Sequence, residues 1–270
     1  MRHLLAGFVA LLLCSGTVRA QSCPEHVIGG QPPALLNQRL AVAARTLCFR
    51  AFTVLHSGAT RTPLYSAEHL TREAVDAAHG LQRVNLFHPE DRLPVSERAE
   101  LADYARSGYD RGHMSPSGDM PDPDSQAESF SLANMVPQAH ALNTGLWERL
   151  ESAVRAYAQR EGELYIVTGP LFQGAEIQAL HGRVAVPTHV WKAIYDPRRN
   201  GAAAYLAPNL DNAGYEVISI AWLRELSGID VFPAVAETVK AEAMSLPEPR
   251  GRRGRSGDRG RRGERDIFQE

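Results

Sequence analysis

The chain has 270 residues, 44% hydrophobic and 22% charged, which is the composition of a soluble globular protein of one large domain or two small ones. Its formal net charge is −2, but residues 21–245 carry 19 basic and 26 acidic side chains and so a net charge of −7. A body this acidic excludes binding of a polyanion by bulk charge. Contact with nucleic acid would need a local arginine patch, a bound cation or the C-terminal tail.

The first twenty residues predict a secretory signal peptide. They combine a basic start at Arg2, an apolar run over 4–13 and a small-residue cleavage pattern ending at Ala20. The apolar run is too short to cross a bilayer core of about 30 Å as a helix, and no later stretch is long and apolar enough to do so. We therefore expect a soluble protein that is secreted or periplasmic and has no membrane partner.

Two cysteines, Cys23 and Cys48, follow the predicted leader. Two cysteines without histidines at a suitable spacing make a poor metal site. In an oxidising compartment an even number of cysteines predicts a disulfide. The bridge would tie the Gly- and Pro-rich arm at 25–37 to the domain, and closing a loop of this size contributes roughly 3 kcal/mol of stability.

The middle of the chain predicts short strands and helices within one domain over residues 21–246. Apolar, β-branched segments bounded by turn residues predict strands at 49–55, 63–67, 129–135, 164–168, 190–195 and 202–207. Helices are expected at 70–78, 97–104, 143–160 and 221–226. The third helix is the clearest, because its apolar residues recur at helical spacing: Leu146, Leu150, Val154 and Tyr157.

The composition changes abruptly at Pro247. Residues 247–270 form a low-complexity Arg/Gly-rich tail that offers almost nothing to bury, so we expect the tail to be disordered. A solvated end without function and a functional segment are both compatible with this composition.

Four consecutive residues, Asp110-Arg111-Gly112-His113, place a carboxylate, a guanidinium, a glycine and an imidazole side by side. A glycine next to the histidine allows the backbone to bend and brings the ring close to what it must touch. Asp110 and Arg111 can orient the ring and each other. The alternative is a buried histidine satisfied by a backbone carbonyl. We interpret the stretch as a catalytic centre.

Two further motifs follow in order. Asn134 opens Asn-x-x-Pro-Gln, and residues 142–151 read Leu-Asn-x-Gly-x-Trp-x-x-Leu-Glu. Together with Asp-Arg-Gly-His, they resemble the DNA/RNA non-specific endonuclease family, the ββα-metal nucleases that include mitochondrial endonuclease G. The resemblance covers roughly 49–231. It implies an α+β fold, with a ββα-metal finger nuclease core on a mixed or antiparallel sheet flanked by helices.

The resemblance also implies a metal-dependent catalytic site. His113 would be the general base that activates water, and Asn143 would be the direct ligand of Mg²⁺, with Mn²⁺ as the alternative ion. Glu151, about 12 Å further along an ideal helix, would reach the metal through a water. Two simpler roles stay open: Asn143 as a helix N-cap, and Glu151 as a surface glutamate paired with Arg155 for about 0.3 kcal/mol.

Three more residues take supporting roles. Arg111 and Arg83 would bind the substrate phosphate, although Arg111 can also pair with Asp110. Asn134 would hold the histidine or its loop, with an ordinary strand-end asparagine as the alternative. The resemblance thus implies hydrolysis of DNA and RNA with 5′-phosphate products and little sequence preference, because contacts to phosphate and sugar carry no base information.

Two other functions fit parts of the sequence. One is a non-catalytic nucleic-acid-binding protein that acts through its Arg/Gly-rich tail. The other is a metal-dependent phosphatase or phosphodiesterase for small molecules, which uses the same chemistry in a less open cleft. A homodimer is neither indicated nor excluded.

Overall fold

The computed structural model describes residues 23–249. The predicted signal peptide and nearly all of the predicted tail lie outside this range. Cys23 and Cys48 form a disulfide, as predicted, with their Cα atoms 5.9 Å apart. The bridge joins the first described residue to the last residue of a strand in the main sheet.

The strands are β1 (Ala34–Leu35), β2 (Ala44–Cys48), β3 (Thr53–Ser57), β4 (Thr62–Thr71), β5 (Asp110–His113), β6 (Met135–Gln138), β7 (Glu163–Leu171), β8 (Ala179–Leu180), β9 (Val184–Ala185), β10 (His189–Asp196), β11 (Gly201–Pro208), β12 (Glu216–Ile218) and β13 (Ile229–Asp230). The α-helices are α1 (Arg72–Ala78), α2 (Leu101–Tyr104), α3 (Pro123–Ser129), α4 (Glu148–Glu161), α5 (Ile220–Ser227) and α6 (Glu237–Ala241). Between residues 23 and 249, no helix is long and apolar enough to cross a membrane.

A seven-stranded antiparallel sheet lies at the centre, in the order β12-β11-β10-β7-β4-β3-β2. Its central strands are buried on both faces, because successive side chains alternate between the two sides. On β7, Ile166 packs into one hydrophobic cluster and Val167 into the other. The expected α+β class is confirmed.

Helix α4 covers the face of the sheet that carries the functional residues. Its apolar stripe is buried as predicted, with Leu150, Val154 and Tyr157 each at most 1% exposed. Met114 and Val136, next to and within the β5–β6 pair, join the same cluster. The β5–β6 pair and α4 therefore share one hydrophobic base, and this gives the ββα arrangement its position.

The strand predicted at 129–135 is wrong. Residues 132–134 form a 3-10 helical turn, which begins after Ser131, whose side chain accepts a hydrogen bond from the backbone N–H of Ala133. The strand starts only at Met135 and pairs with β5, which the sequence did not predict. The four largely polar residues of β5 give little strand signal by themselves, and here the pairing partner supplies it.

Candidate active site

A cleft of 1330 Å³ opens beside β5, α4 and the turn that precedes α4. Five of the predicted site residues line it: Arg83, Arg111, His113, Asn143 and Glu151. The sixth, Asn134, is completely buried. The fold thus brings residues from four separate parts of the sequence to one open surface.

His113 ends β5 and is only 8% exposed. Its ring meets Phe130 edge to face, with ring centroids 5.0 Å apart, and is tilted against Phe87 at 5.8 Å. Burial, together with the positive charge of Arg83, lowers the pKa of His113 to about 3, so the ring is neutral at pH 7. Nε2 is buried and has no hydrogen-bond partner among the described residues. Because His113 still lines the cleft, we infer that Nδ1 is the nitrogen that faces it.

Asn134 holds the loop that follows the histidine. Its amide nitrogen donates to the carbonyls of Ser115 and Ser129, both at 2.9 Å, and its amide oxygen accepts from Ser115 N–H at 3.0 Å. The backbone carbonyl of Asn134 accepts from Met114 N–H at 2.9 Å. This geometry supports the loop-holding role over that of an ordinary strand-end asparagine.

Asn143 does not cap a helix, contrary to the simpler expectation. It lies within a π-helical turn, Leu142–Trp147, that leads directly into α4 and is preceded by Ala141 at the N-cap position. Single π-helical turns at the end of an α-helix are frequent at functional sites. The Asn143 amide nitrogen donates to Asp110 Oδ2 at 2.9 Å, and His140 Nδ1 lies 2.9 Å from the same oxygen.

Glu151 does not form the expected ion pair with Arg155. Arg155 instead donates to Asp119 Oδ1 at 2.8 Å and to Ser152 at 2.9 Å. Burial raises the pKa of Glu151 to about 7, against the opposing influence of Lys192 and Arg155. The carboxyl group therefore stands in the cleft wall without a direct ionic partner among the described residues.

The two predicted phosphate-binding arginines rest on the aromatic rings that surround His113. The Arg111 guanidinium lies 4.2 Å from the centroid of Phe87, and that of Arg83 lies 5.4 Å from the centroid of Phe130. Arg83 also donates to Asn85 Oδ1 at 2.8 Å. Within the described residues, Arg111 forms no ion pair with Asp110. Ring stacking holds each guanidinium by its face and leaves N–H groups for an anion.

Glycine at position 112 has a different cause from the expected backbone bend. Gly112 lies in an extended strand without a positive φ. A Cβ built on it would overlap the side chain of Gln138, its neighbour on β6, and would stand only 2.6 Å from the Gln138 Cβ. The position therefore excludes a side chain because β6 approaches closely.

Sequence reasoning missed three arginines of the cleft wall, Arg106, Arg149 and Arg160. Arg149 and Arg160 lie on the polar side of α4, opposite the apolar stripe. That face could have been read from the helical period. Arg106 follows α2, and no sequence pattern connects it with the site.

The residues present fit a hydrated divalent cation. Among residues 23–249, no group of three or more His, Cys, Asp and Glu side chains is arranged to hold a metal ion. Mg²⁺, however, retains several waters and needs few protein ligands. The Asp110 carboxylate can only accept, so the Asn143 nitrogen faces it. The Asn143 oxygen makes no hydrogen bond to another described residue and is available as a ligand.

Residues 35–238, well over half of the chain, match the family model described as DNA/RNA non-specific endonuclease. The fold has a solved counterpart in the crystal structure of the EndoG/EndoGI complex, described as showing the mechanism of EndoG inhibition. The TM-score is 0.64 and the identity 25%, over 72% of this chain and 88% of that one. This likeness confirms the predicted ββα-metal nuclease fold.

Several named proteins are similar in sequence. Nuclease C1 of Cunninghamella echinulata var. echinulata is 34% identical over 60% of this chain and 69% of its own length. Nuclease EXOG, mitochondrial, of Danio rerio is 34% identical over 65% and 57%, so the chain spans little more than half of that relative. A nuclease of Nostoc sp. is 27% identical over 89% and 96%. These names support the predicted enzyme over a non-catalytic binding protein.

The predicted secreted or periplasmic location is wrong. Relatives from Danio rerio, Schizosaccharomyces pombe and Homo sapiens are named mitochondrial, although the Nostoc nuclease is not. The prediction rested on residues 1–20, which are basic at the start and contain no acidic residue. Export signals and organelle-targeting segments share these properties, so they could not distinguish one destination from the other.

Proposed function

Because the chain belongs to the DNA/RNA non-specific endonuclease family, a family of metal-dependent nucleases, we propose that it hydrolyses phosphodiester bonds of both DNA and RNA in the arginine-lined cleft. The observation that carries the proposal is that His113 and Asn143 line the same cleft. Asp110, three residues before the histidine, binds the asparagine directly. A neutral imidazole and an amide oxygen suited to a cation therefore flank one space.

His113 acts as the general base. It takes a proton from water, the water oxygen bonds to phosphorus, and the bond from phosphorus to the 3′ oxygen breaks, which leaves a 5′-phosphate and a 3′-hydroxyl. A pKa of about 3 makes a weak base. Phosphate entering the cleft brings negative charge next to the ring, and this raises the pKa toward a more effective value.

Asn143 holds the divalent cation, Mg²⁺ or Mn²⁺, and Glu151 contacts its water shell. The cation, when bound, neutralises charge that develops on the phosphoryl and leaving oxygens. Asp110 orients the Asn143 amide by accepting from its nitrogen. Asn134 keeps the backbone after His113 in place through its three side-chain hydrogen bonds.

Arg83 and Arg111 bind the phosphate and explain how an acidic body accepts a polyanion. Six arginines line the cleft against four acidic residues, so its local charge is opposite to that of the body. Their contacts go to phosphates, which repeat along every strand of DNA and RNA. We therefore expect little sequence preference and weaker binding at higher salt.

The direct test is digestion of plasmid DNA and of RNA, with and without Mg²⁺, by the wild type and by His113→Ala. Loss of a general base typically lowers the rate about 10²–10⁴-fold. The matched control is His79→Ala, which removes an exposed histidine that does not line the cleft. Wild-type rates in His113→Ala, or cleavage independent of any divalent ion, would overturn the proposal.

A further inference from the structure

The described chain ends at the mouth of the cleft. After α6, Met244 and Leu246 pack against the hydrophobic cluster beneath α4, and the hydroxyl of Tyr205 donates to the carbonyl of Pro247. Pro247 and Glu248 are themselves part of the cleft wall. Residues 244–248 are thus anchored, and whatever follows Pro249 leaves the domain beside the proposed site.

The residues that follow are strongly cationic. Residues 250–270 contain eight arginines and four acidic residues, a net charge of +4, whereas residues 21–245 carry −7. Apart from glycine, residues 250–265 include no apolar side chain. Such a segment has no hydrophobic surface to bury against the domain, so its chemistry is that of its guanidinium groups.

The charge of the cleft indicates what this segment can bind there. The cleft wall contains six arginines, Arg83, Arg106, Arg111, Arg149, Arg155 and Arg160. The acidic residues of the wall are Asp110, Glu148, Glu151 and Glu248. A cationic segment is therefore not drawn into the cleft for itself. Both surfaces are complementary to one polyanion that occupies the cleft and extends beyond it.

We propose that residues 250–270 are a second phosphate-binding surface, which engages the backbone of a DNA or RNA strand outside the cleft. The inference rests on the proposed function and adds a substrate-capturing element to it. Because the segment is tethered at Pro247, its contacts raise the effective concentration of substrate at the cleft. The surface selects long polyanions over short ones, since a short oligonucleotide fills the cleft without reaching the segment.

The test compares three versions of the chain with the wild type: one that ends at Pro249, one with all eight tail arginines changed to glutamine, and one with the same eight changed to lysine. Cleavage is measured on long duplex DNA and on a trinucleotide, over a range of salt concentrations. The truncated and glutamine versions should show a KM for long DNA raised at least about tenfold and a weaker salt dependence. The salt slope should fall by about 0.9 for each phosphate that the tail no longer neutralises.

The control measurements separate this inference from the proposed function. The kcat on the trinucleotide should be unchanged in all versions, and the lysine version should keep most of the affinity because its charge is retained. Binding of uncleaved DNA by full-length and truncated His113→Ala reports the tail without catalysis. Tail-dependent binding without cleavage by the wild type would refute the function and leave the inference standing.

An unchanged KM and salt slope after truncation would overturn the inference. So would tail-dependent binding to phosphatidylserine vesicles with unchanged DNA affinity, because the segment would then serve an anionic membrane surface.

Discussion

The amide nitrogen of Asn143 donates a hydrogen bond of 2.9 Å to the carboxylate of Asp110. The bond connects β5 to the π-helical turn before α4, so it sets the position of the helix that carries the proposed cation ligand relative to the strand that carries the proposed base. Asp110 is thereby a positioning residue for Asn143 rather than the ionic partner of Arg111.

Replacing Asp110 by alanine should weaken the apparent affinity for Mg²⁺ about 10–100-fold, the usual loss when a partner of a metal ligand is removed. The Asn143 amide would lose the carboxylate that orients it. The measurement is a Mg²⁺ titration of the cleavage rate. His140→Ala removes the other partner of the same oxygen and leaves the Asn143 bond in place, so it should change the titration much less. An unaltered Mg²⁺ requirement in Asp110→Ala would contradict this prediction.

A methyl group at position 112 should destabilise the protein. Gly112→Ala places a Cβ against Gln138, and overpacking of this kind costs about 1–3 kcal/mol. Urea unfolding gives the free energy directly. Gly80→Ala is the matched control, because no atom lies within 4 Å of the added Cβ at that position. Equal effects of the two substitutions would show that the close approach of Gln138 is not the reason for the glycine.

Asn134→Ala should lower the free energy of unfolding by about 3 kcal/mol or more. It leaves buried backbone groups of Ser115 and Ser129 without partners, and each such group costs about 1–3 kcal/mol. Asn134→Asp retains an acceptor for the Ser115 N–H but loses both donated bonds. We expect its fluorescence-monitored unfolding midpoint to lie between those of the wild type and the alanine variant. A stability of Asn134→Ala equal to the wild type would exclude the loop-holding role.

Acid should destabilise the wild type through His113. Burial lowers its folded-state pKa to about 3 from an ordinary value of 6.5, so the unfolded chain binds the proton first as the pH falls. The stability linked to this group is present above pH 6.5 and is lost progressively between pH 6.5 and about 3. Unfolding free energies of the wild type and His113→Ala, compared at several pH values, should converge as the pH falls through this window. Parallel curves would contradict a buried neutral histidine.

Lys192 should stabilise the floor of the site despite being a buried charge. It is 1% exposed and donates to Thr168 Oγ1 at 2.7 Å and to the carbonyl of Met114 at 3.4 Å. Its charge also opposes the burial that raises the pKa of the enclosed Glu68. Lys192→Met should cost about 3–5 kcal/mol, as expected when one partner of a buried charged pair is removed.

The addition of Glu68→Gln to that variant should recover part of the loss, because the unpaired carboxyl group is removed. Chemical unfolding of both single variants and the double variant measures the coupling. Strict additivity would refute an interaction between Lys192 and Glu68.

The motifs predicted most of the cleft because their residues are close together in the sequence and chemically distinctive. His113, Asn143 and Glu151 all line it, as does the less distinctive Arg83. Arg106 could not be found in this way, since a surface arginine after a short helix has no local feature that marks it. The same applies to the strand β5, whose extended form depends on pairing with residues 135–138.

The sequence by itself determined the family, the α+β class, the Cys23–Cys48 pair and the residue types of the site, because each depends on local patterns and their order. Only the tertiary structure decided the partners: Asp110 with Asn143, Asp119 with Arg155, and Gln138 against Gly112. It also decided that His113 is buried between aromatic rings, which sets its pKa. These are contacts between residues distant in the chain, and the packing of β5, β6 and α4 on one face of the sheet brings them together.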